Sequence, residues 1–406
     1  MRTLLQAPPG FGKTRILARL AVRTGAKTVF FVRSHGEALQ AHRYISELGG
    51  RASLAFGRAT LCKYGARTLG DCISLRERGI CKVKYKYINK IFYNFEEIYK
   101  EKICPYEYFQ SISRQGNITI LPMSYLESQE YLAGVADLIR ESELVIIDEF
   151  HNVLLNDLTA ERDLPSSAYC DYGLKRCLLM PFLRELIGDR DLFATTASIP
   201  EKFSEIFVNF FSLEYINKDN IFYENLIIDI FPIKIRYNNR NKNQIINIIY
   251  KIVSKIFNDY KKLIIFIPNK SLLSYYKAKF KHLPVSEVPL GDVPQVILTY
   301  YNSPLSEGLN IDVDSAVLIG FPFPNITDKW LKIKINFIEK LGYNGFKYVY
   351  LFAAVSSAIQ AMGRAMRELD RRVKYIAAID DRFWHYRNYM PDWFKRTAVL
   401  RDAPSL

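Results

Sequence analysis

Residues 7–14 read Ala-Pro-Pro-Gly-Phe-Gly-Lys-Thr, residue types and a spacing suited to gripping phosphate. Gly10 and Gly12 let the backbone from Pro9 through Phe11 curl until its N–H groups face phosphate oxygens. A helix starting just after them adds partial positive charge. Lys13 is long enough to reach β- and γ-phosphates, and the Thr14 hydroxyl suits a Mg²⁺ ion. Ala7 occupies the place where the strict pattern has Gly. A plain glycine-rich turn would account for neither the lysine nor the threonine. The stretch points to a bound nucleoside triphosphate.

Two further constellations suit the same ligand. Asp148 and Glu149 end the apolar run Leu144-Val145-Ile146-Ile147, and an acidic pair at the tip of a buried strand is unfavourable unless a cation or solvent meets it. Asp148 suits the Mg²⁺ shell, and Glu149 suits orienting and deprotonating an attacking water. The bland alternative is a solvated turn. Gln360, Gly363, Arg364 and Arg367 form Gln-x-x-Gly-Arg-x-x-Arg. On a helix Gln360, Arg364 and Arg367 share one face, where guanidinium groups can neutralise charge that builds during phosphoryl transfer. The alternative there is a basic solvated face.

The elements that position these residues are short apolar runs separated by helical patterns. Thr28–Val32, Ile118–Leu121, Leu144–Asp148 and Leu192–Thr195 read as buried strands, and Glu37–Leu48 has helical spacing. Past about residue 200 the composition shifts to Ile, Asn, Lys and Tyr. Four more strands are expected there, at Leu263–Ile267, Val296–Tyr300, Ala316–Ile319 and Tyr375–Ile379. Strands alternating with helices predict an α/β fold of two parallel-sheet domains, with ligands at the carboxyl ends of the strands. Ile221–Asn243 is the stretch poorest in signals.

The 406 residues carry a net charge of +14, which favours a polyanionic partner, nucleic acid first among them. A generally basic surface suited to a hot or saline cytoplasm is the alternative. No long uncharged apolar run predicts a transmembrane helix, and the first strand starts so early that no signal peptide is expected. A cytoplasmic protein is the resulting expectation. Of six cysteines, Cys62, Cys72, Cys81 and Cys104 crowd into one basic segment. Four thiolates suit an iron–sulfur cluster or tetrahedral zinc, and disulfides are a third reading. No Cys-x-x-Cys knuckle is present, which disfavours a zinc ribbon. Cys170 and Cys177 fit no ligand pattern and are expected in the core. Lys82, Lys84 and Tyr85 begin a run of lysines interleaved with aromatics, a composition suited to single-stranded nucleic acid or to a lysine-rich face over a small aromatic core.

Taken in order, these motifs resemble the superfamily 2 helicases, and within them the XPD-like branch with its bacterial DinG relatives. The acidic box is Asp-Glu-Phe-His, ending at His151. Val32-Arg33-Ser34-His35 resembles the first DNA-contacting motif, and Thr195-Thr196-Ala197-Ser198 the motif that links hydrolysis to DNA movement through Thr196 and Ser198. Ile264 to Asn269 is similar to the strand opening the second motor domain. Ser306-Glu307-Gly308-Leu309-Asn310 is close to the fifth motif, which places Glu307 and Gly308 with the nucleotide. Gly320 to Pro324 and Asp380-Asp381-Arg382-Phe383 follow as they do in the family.

The resemblance implies two RecA-like motor domains, 1–57 with 106–200 and 201–406, holding ATP and Mg²⁺ between them. His151 joins Lys13, Asp148, Glu149, Gln360, Arg364 and Arg367 in the catalytic set. It also implies a [4Fe–4S] domain at 58–105 with Cys62, Cys72, Cys81 and Cys104 as ligands, and 5′–3′ movement on single-stranded or forked DNA. Arg33, Ser34, His35, Lys82, Lys84 and Tyr85 are its expected contacts with the strand. Alternative functions are a translocase or remodeller that does not unwind duplex, on DNA or RNA, and a nucleotide-switched clamp. Two departures stand out. No adenine-reading Gln stretch precedes the loop, so other nucleotides are expected to serve. About 155–190 is too short for the branch's arch domain and has room for a helix or two. Low processivity, a partner protein that supplies processivity or nuclease activity, a monomeric state and an archaeal or mobile-element origin are the matching expectations.

Overall fold

The computed structural model describes residues 1–83, 98, 100–113, 116–127, 129–159, 169–171, 173–221, 223–303, 305, 311–366 and 372–402. By its contacts the chain divides into two compact units. One is Met1–Thr3 with Gly12–Thr195, and the other is Leu4–Phe11 with Thr196–Leu406.

The first sheet has seven strands: β1 (Arg2–Gln6), β2 (Thr28–Val32), β3 (Ala52–Leu54), β4 (Ile118–Pro122), β5 (Leu144–Ile147), β9 (Asp191–Thr196) and β10 (Glu214–Asn217). Their spatial order is β10-β1-β9-β5-β2-β4-β3. Pairing is parallel from β3 through β9, with Thr28 opposite both Ile118 and Leu144. The expected runs are strands because they are apolar on both faces: β2 and β5 are buried at every residue, as a sheet covered by helices requires. Helix α1 (Lys13–Thr24) buries Leu17, Ala18 and Ala21 against this sheet's core with Phe30, Ile45 and Ile146. Helix α2 (His35–Glu47) starts at Ser34, whose Oγ accepts the Glu37 N–H, an N-cap that satisfies one orphan donor.

Within the four-cysteine segment lie short helices at Arg58–Leu61 and Leu69–Glu77, and a third, Pro105–Ser113, starts at its end. The second of them is fixed by a capping box between Thr68 and Asp71. The stretch after the acidic box departs from expectation. Rather than helices alone it holds a small antiparallel sheet, β6 (Asp157–Thr159), β7 (Cys170–Asp171) and β8 (Arg176–Leu178), in the order β6-β8-β7, followed by the helix Leu179–Ile187. Cys170 and Cys177 face one another across β7 and β8 and form a disulfide. Of the two expected core cysteines Cys177 is buried and Cys170 is half-buried, and the bond between them was not expected: facing positions on antiparallel strands bring their side chains together.

The second sheet has seven strands in the order β13-β14-β12-β15-β16-β11-β17. They are β11 (Leu226–Phe231), β12 (Lys262–Ile267), β13 (Val285–Ser286), β14 (Gln295–Tyr300), β15 (Ser315–Ile319), β16 (Lys374–Ile379) and β17 (Ala398–Leu400). All of its pairings are parallel. The four expected strands are β12, β14, β15 and β16. β11 lies in the stretch that carried little signal, because Asp229 interrupts its apolar run. Tyr375 Oη and Arg401 Nε donate to that carboxylate at 2.9 Å each and make its burial tolerable. Among the described residues no helix is long and apolar enough to cross a membrane.

Candidate functional site

The phosphate loop has the backbone its glycines were expected to provide. Gly10 and Gly12 have φ of +79° and +82°, a left-handed conformation that L side chains rarely adopt. Gly12 is the N-cap of α1. The loop's Pro9 is half-buried, Gly10, Phe11 and Gly12 are exposed, and Lys13 just behind them is only 8 % exposed.

In the first unit Thr14 and the acidic box meet. Thr14 Oγ1 donates to Asp148 Oδ2 at 2.7 Å, Thr195 Oγ1 donates to Asp148 Oδ1 at 2.6 Å, and the Glu149 N–H donates to Oδ1 at 3.0 Å. Asp148 is 3 % exposed. Burial, and then the charge of Glu149, push its carboxyl above the usual range against the pull of these bonds and of Lys13. Glu149 has φ of +53°, a strained conformation for such a residue, worth on the order of 1–3 kcal/mol. That backbone is held in place by the Phe150 N–H, which donates to Thr195 O at 2.9 Å. Glu149 Oε2 is buried without a hydrogen bond and stands 3.3 Å from His151 Nδ1. His151 is fully buried, and burial followed by the charges of Arg33 and Lys13 holds it well below its ordinary pKa, so the ring is neutral.

Thr195 and Glu37 both act on the acidic box, and the motif reading gave neither a role of its own. Thr195 ties the strand end of β9 directly to Asp148, whereas Thr196 Oγ1 accepts the Ser198 N–H at 3.0 Å and Ser198 Oγ makes no hydrogen bond. Glu37 accepts the Arg33 N–H through Oε2 at 3.1 Å. Burial, then the charges of Asp148 and Glu149, raise its pKa to about 7. The Ser34-x-x-Glu37 spacing is a helix-start signal, and it was the one available clue. Of the expected strand contacts, Ser34 caps α2, and His35 packs edge-on against Phe56 at 4.5 Å with its pKa lowered by burial. Lys82 is exposed. Lys84, Tyr85, Glu307, Gly308 and Arg367 lie outside the described residues.

In the second unit, the helix Phe352–Gly363 carries Gln360, and Arg364 is its C-cap, 7 % exposed. A Cβ on Gly363 would stand 3.1 Å from Pro9 Cγ, and one on Gly10 would stand 3.5 Å from the Met366 carbonyl oxygen. All four residues belong to this unit. The glycine of Gln-x-x-Gly-Arg thus lets the helix approach the proline of the phosphate loop closely; a side chain there would push Pro9 aside by a few tenths of an ångström. Gln6, the glutamine just before the loop, is fully buried. Its amide donates to Ala197 O and the Asp219 carboxylate and accepts the Ile199 N–H, a structural tie rather than a base reader.

Comparison with known proteins follows the same order along the chain. The DEAD_2 family matches residues 52–162, and the family described as Helicase C-terminal domain matches residues 244–397. A solved XPD helicase superposes with a TM-score of 0.70 at 15 % identity, covering 99 % of this chain and 96 % of that one. An apo XPD gives 0.64 at 15 % identity, covering 99 % and 97 %. Xpd4 of S. tokodaii gives 0.62 at 13 %, covering 98 % and 96 %. No curated protein matches. The chain belongs to the XPD-like superfamily 2 helicases. As an XPD-like helicase it is an ATP-driven enzyme of two RecA-like sheets.

The cysteine segment of this XPD-like helicase carries four free thiols. Cys72 is buried, and Cys62, Cys81 and Cys104 are half-buried free thiols. Burial raises the Cys104 thiol, opposed by the backbone N–H groups of Glu107 and Tyr106 at the start of the helix Pro105–Ser113. Cys72 is close enough to add to the rise. Among the described residues no three His, Cys, Asp or Glu side chains converge on a metal position, so the four thiols do not form a closed ligand set here. Mg²⁺ is a different case. It is commonly held by one or two carboxylates together with substrate phosphates, and Thr14 with Asp148 fits that pattern.

Proposed function

We propose that this XPD-like helicase couples ATP hydrolysis to 5′–3′ movement along a single DNA strand and to separation of the duplex ahead. The observation that carries the reading is the Thr14–Asp148–Thr195 cluster beside the strained Glu149. Thr14 and Asp148 would hold Mg²⁺, which neutralises charge on the β- and γ-phosphates. Glu149 orients the attacking water and takes its proton, and neutral His151 fixes the far side of that carboxylate. Thr195 passes the state of Asp148 to the strand end that continues into Thr196 and Ser198. Gln360, Arg364 and Arg367 are the candidates for meeting charge on the transferring phosphoryl group. The net charge of +14 supports a strand partner whose binding weakens steeply as salt rises.

A [4Fe–4S] cluster on Cys62, Cys72, Cys81 and Cys104 belongs to the same proposal. It rests on the resemblance and on the DEAD_2 match that spans all four positions. No step above passes through it. Among the described residues between Asp157 and Ile187 there are a small sheet and one helix, which support short unwinding runs and reliance on a partner protein.

The test is strand displacement on 5′-tailed and 3′-tailed duplexes with anaerobically purified protein, together with an absorbance scan near 400 nm. Displacement of the 5′-tailed substrate alone, with a broad band in the scan, is the expected result. Displacement from the 3′ tail reverses the polarity. Strand-stimulated hydrolysis without displacement points to a translocase, and a flat scan removes the cluster.

A further inference from the structure

Against the helix Asn243–Asp259 the second sheet carries a cavity of about 470 Å³ that lies wholly within the second unit. It is built by β11, by Tyr375 near the start of β16, by the helix with Tyr260 after it, and by Arg401 and Asp402 beyond β17. None of the described residues that line it belongs to the phosphate loop, the acidic box or the motifs of the second unit. The volume falls in the range of small-ligand clefts.

Its parts differ in chemistry. One wall is apolar and flat, where Phe231, Ile252 and Ile256 accompany the rings of Tyr260 and Tyr375, which stack at 5.1 Å with 18° between their planes. Inside stands the Asp229 carboxylate, only 8 % exposed. Its Oδ2 accepts from Tyr375 Oη and its Oδ1 from Arg401 Nε, each at 2.9 Å. A carboxylate has about four acceptor positions, so each oxygen has room for a second donor. On the exposed side Lys251 and Lys255, one turn apart on the helix, bring cations, with Asp259 and Asp402 beside them.

The acid is the part that stability does not explain. An aliphatic residue at that place would continue the apolar run of β11, and well-packed apolar side chains often serve stability as well as a buried ion pair. Recognition does explain it. An acceptor inside, a flat aromatic wall and cations outside match a ligand with N–H donors on a planar ring at one end and negative charge at the other. A nucleoside phosphate has that form: its ring stacks on tyrosine, its ring amino group donates to the carboxylate, and its phosphates meet the lysines.

We infer that this cavity is a second nucleotide site, sharing no residue with the phosphate loop, which takes one free nucleoside phosphate with its base at Asp229 and Tyr260 and its phosphates at Lys251 and Lys255. The inference depends neither on the polarity of movement nor on duplex separation.

The experiment is equilibrium dialysis of the full chain against radiolabelled ADP with Mg²⁺. The parent should bind two ADP per chain and Lys13→Ala one, because only the loop site uses that lysine. In the Lys13→Ala background Lys255→Glu, a change at an exposed position, should weaken the remaining site by at least about tenfold, equivalent to about 1.4 kcal/mol. 8-Azido-ADP should label the peptide that holds Tyr260. One ADP in the parent and none in Lys13→Ala, or a remaining site unmoved by Lys255→Glu, overturns the second site and leaves the motor reading standing. One ADP in both proteins overturns the loop site and leaves the second one. Full displacement of the remaining ADP by an equal concentration of inorganic phosphate overturns the base contact and with it the nucleotide assignment.

Discussion

Each unit ends a parallel strand in a pair of acids, and the two pairs are treated in opposite ways. After β16, Asp380 and Asp381 are answered by guanidinium groups of their own unit. Arg236 makes two bonds to Asp381 at 2.8 and 2.9 Å, and Arg382 bonds both oxygens of Asp380 at 2.9 and 2.7 Å. Asp380 also accepts the N–H groups of Phe321 and Arg382. After β5, Asp148 accepts hydrogen bonds from two hydroxyls and one backbone N–H, while Glu149 sits in a left-handed conformation with a buried oxygen that makes no hydrogen bond. The first arrangement is a lock that fixes a loop. The second carries unspent negative charge and backbone strain, which suits a site completed by a cation and a ligand. An acidic pair at a strand end is therefore diagnostic of chemistry only when its own chain leaves it incompletely answered.

Substitutions can sharpen or break this contrast. The largest effect is expected for Glu149→Gln, which keeps the shape and removes the base: strand-stimulated ATP turnover should fall by about 10²–10⁴-fold. A change of less than tenfold in a steady-state assay would remove Glu149 from the chemistry. Thr195→Val deletes one hydroxyl bond to a buried carboxylate, worth about 1.5–3 kcal/mol, and turnover should drop by about tenfold or more. Thr196→Val, whose parent hydroxyl accepts the Ser198 N–H instead, should cost less in the same assay.

The smallest effect is a pH slope from Glu37. Its pKa of about 7 in the folded chain lies above the ordinary glutamate value, so the folded state binds the proton more tightly than the unfolded one. Its contribution to stability is full below about pH 4 and is lost as pH rises through about 7. Denaturant melts across that window should show the parent weakening relative to Glu37→Gln, with the gap closed at the acidic end. Parallel curves would mean that Glu37 is solvated and unshifted.

Much of this was legible in the residues. Runs apolar on both faces named β2, β4, β5, β9, β12, β14, β15 and β16, because a covered parallel sheet leaves no polar alternation to confuse with anything else. Gly10, Gly12 and the acidic pair announced themselves by conformational need and by charge in the wrong place. What escaped depends on partners far along the chain. Asp229 breaks the pattern of β11 until Tyr375 and Arg401 are seen to answer it. Thr195 reads as one of two adjacent threonines until the fold sets its hydroxyl on Asp148. The Cys170–Cys177 bond needed the register of a hairpin that its composition does not declare.

The most direct measurement places Asp148→Asn and Asp380→Asn side by side, following ATP turnover and the unfolding midpoint of each. Asp148→Asn should lose turnover at least about 100-fold and, without Mg²⁺, melt at or above the parent, because a buried charge has been relieved. Asp380→Asn should be destabilised by about 3 kcal/mol, the scale of breaking a buried ion pair. An Asp148→Asn protein that melts well below the parent yet hydrolyses ATP normally would contradict the assignment of the first acid pair to chemistry and the second to structure.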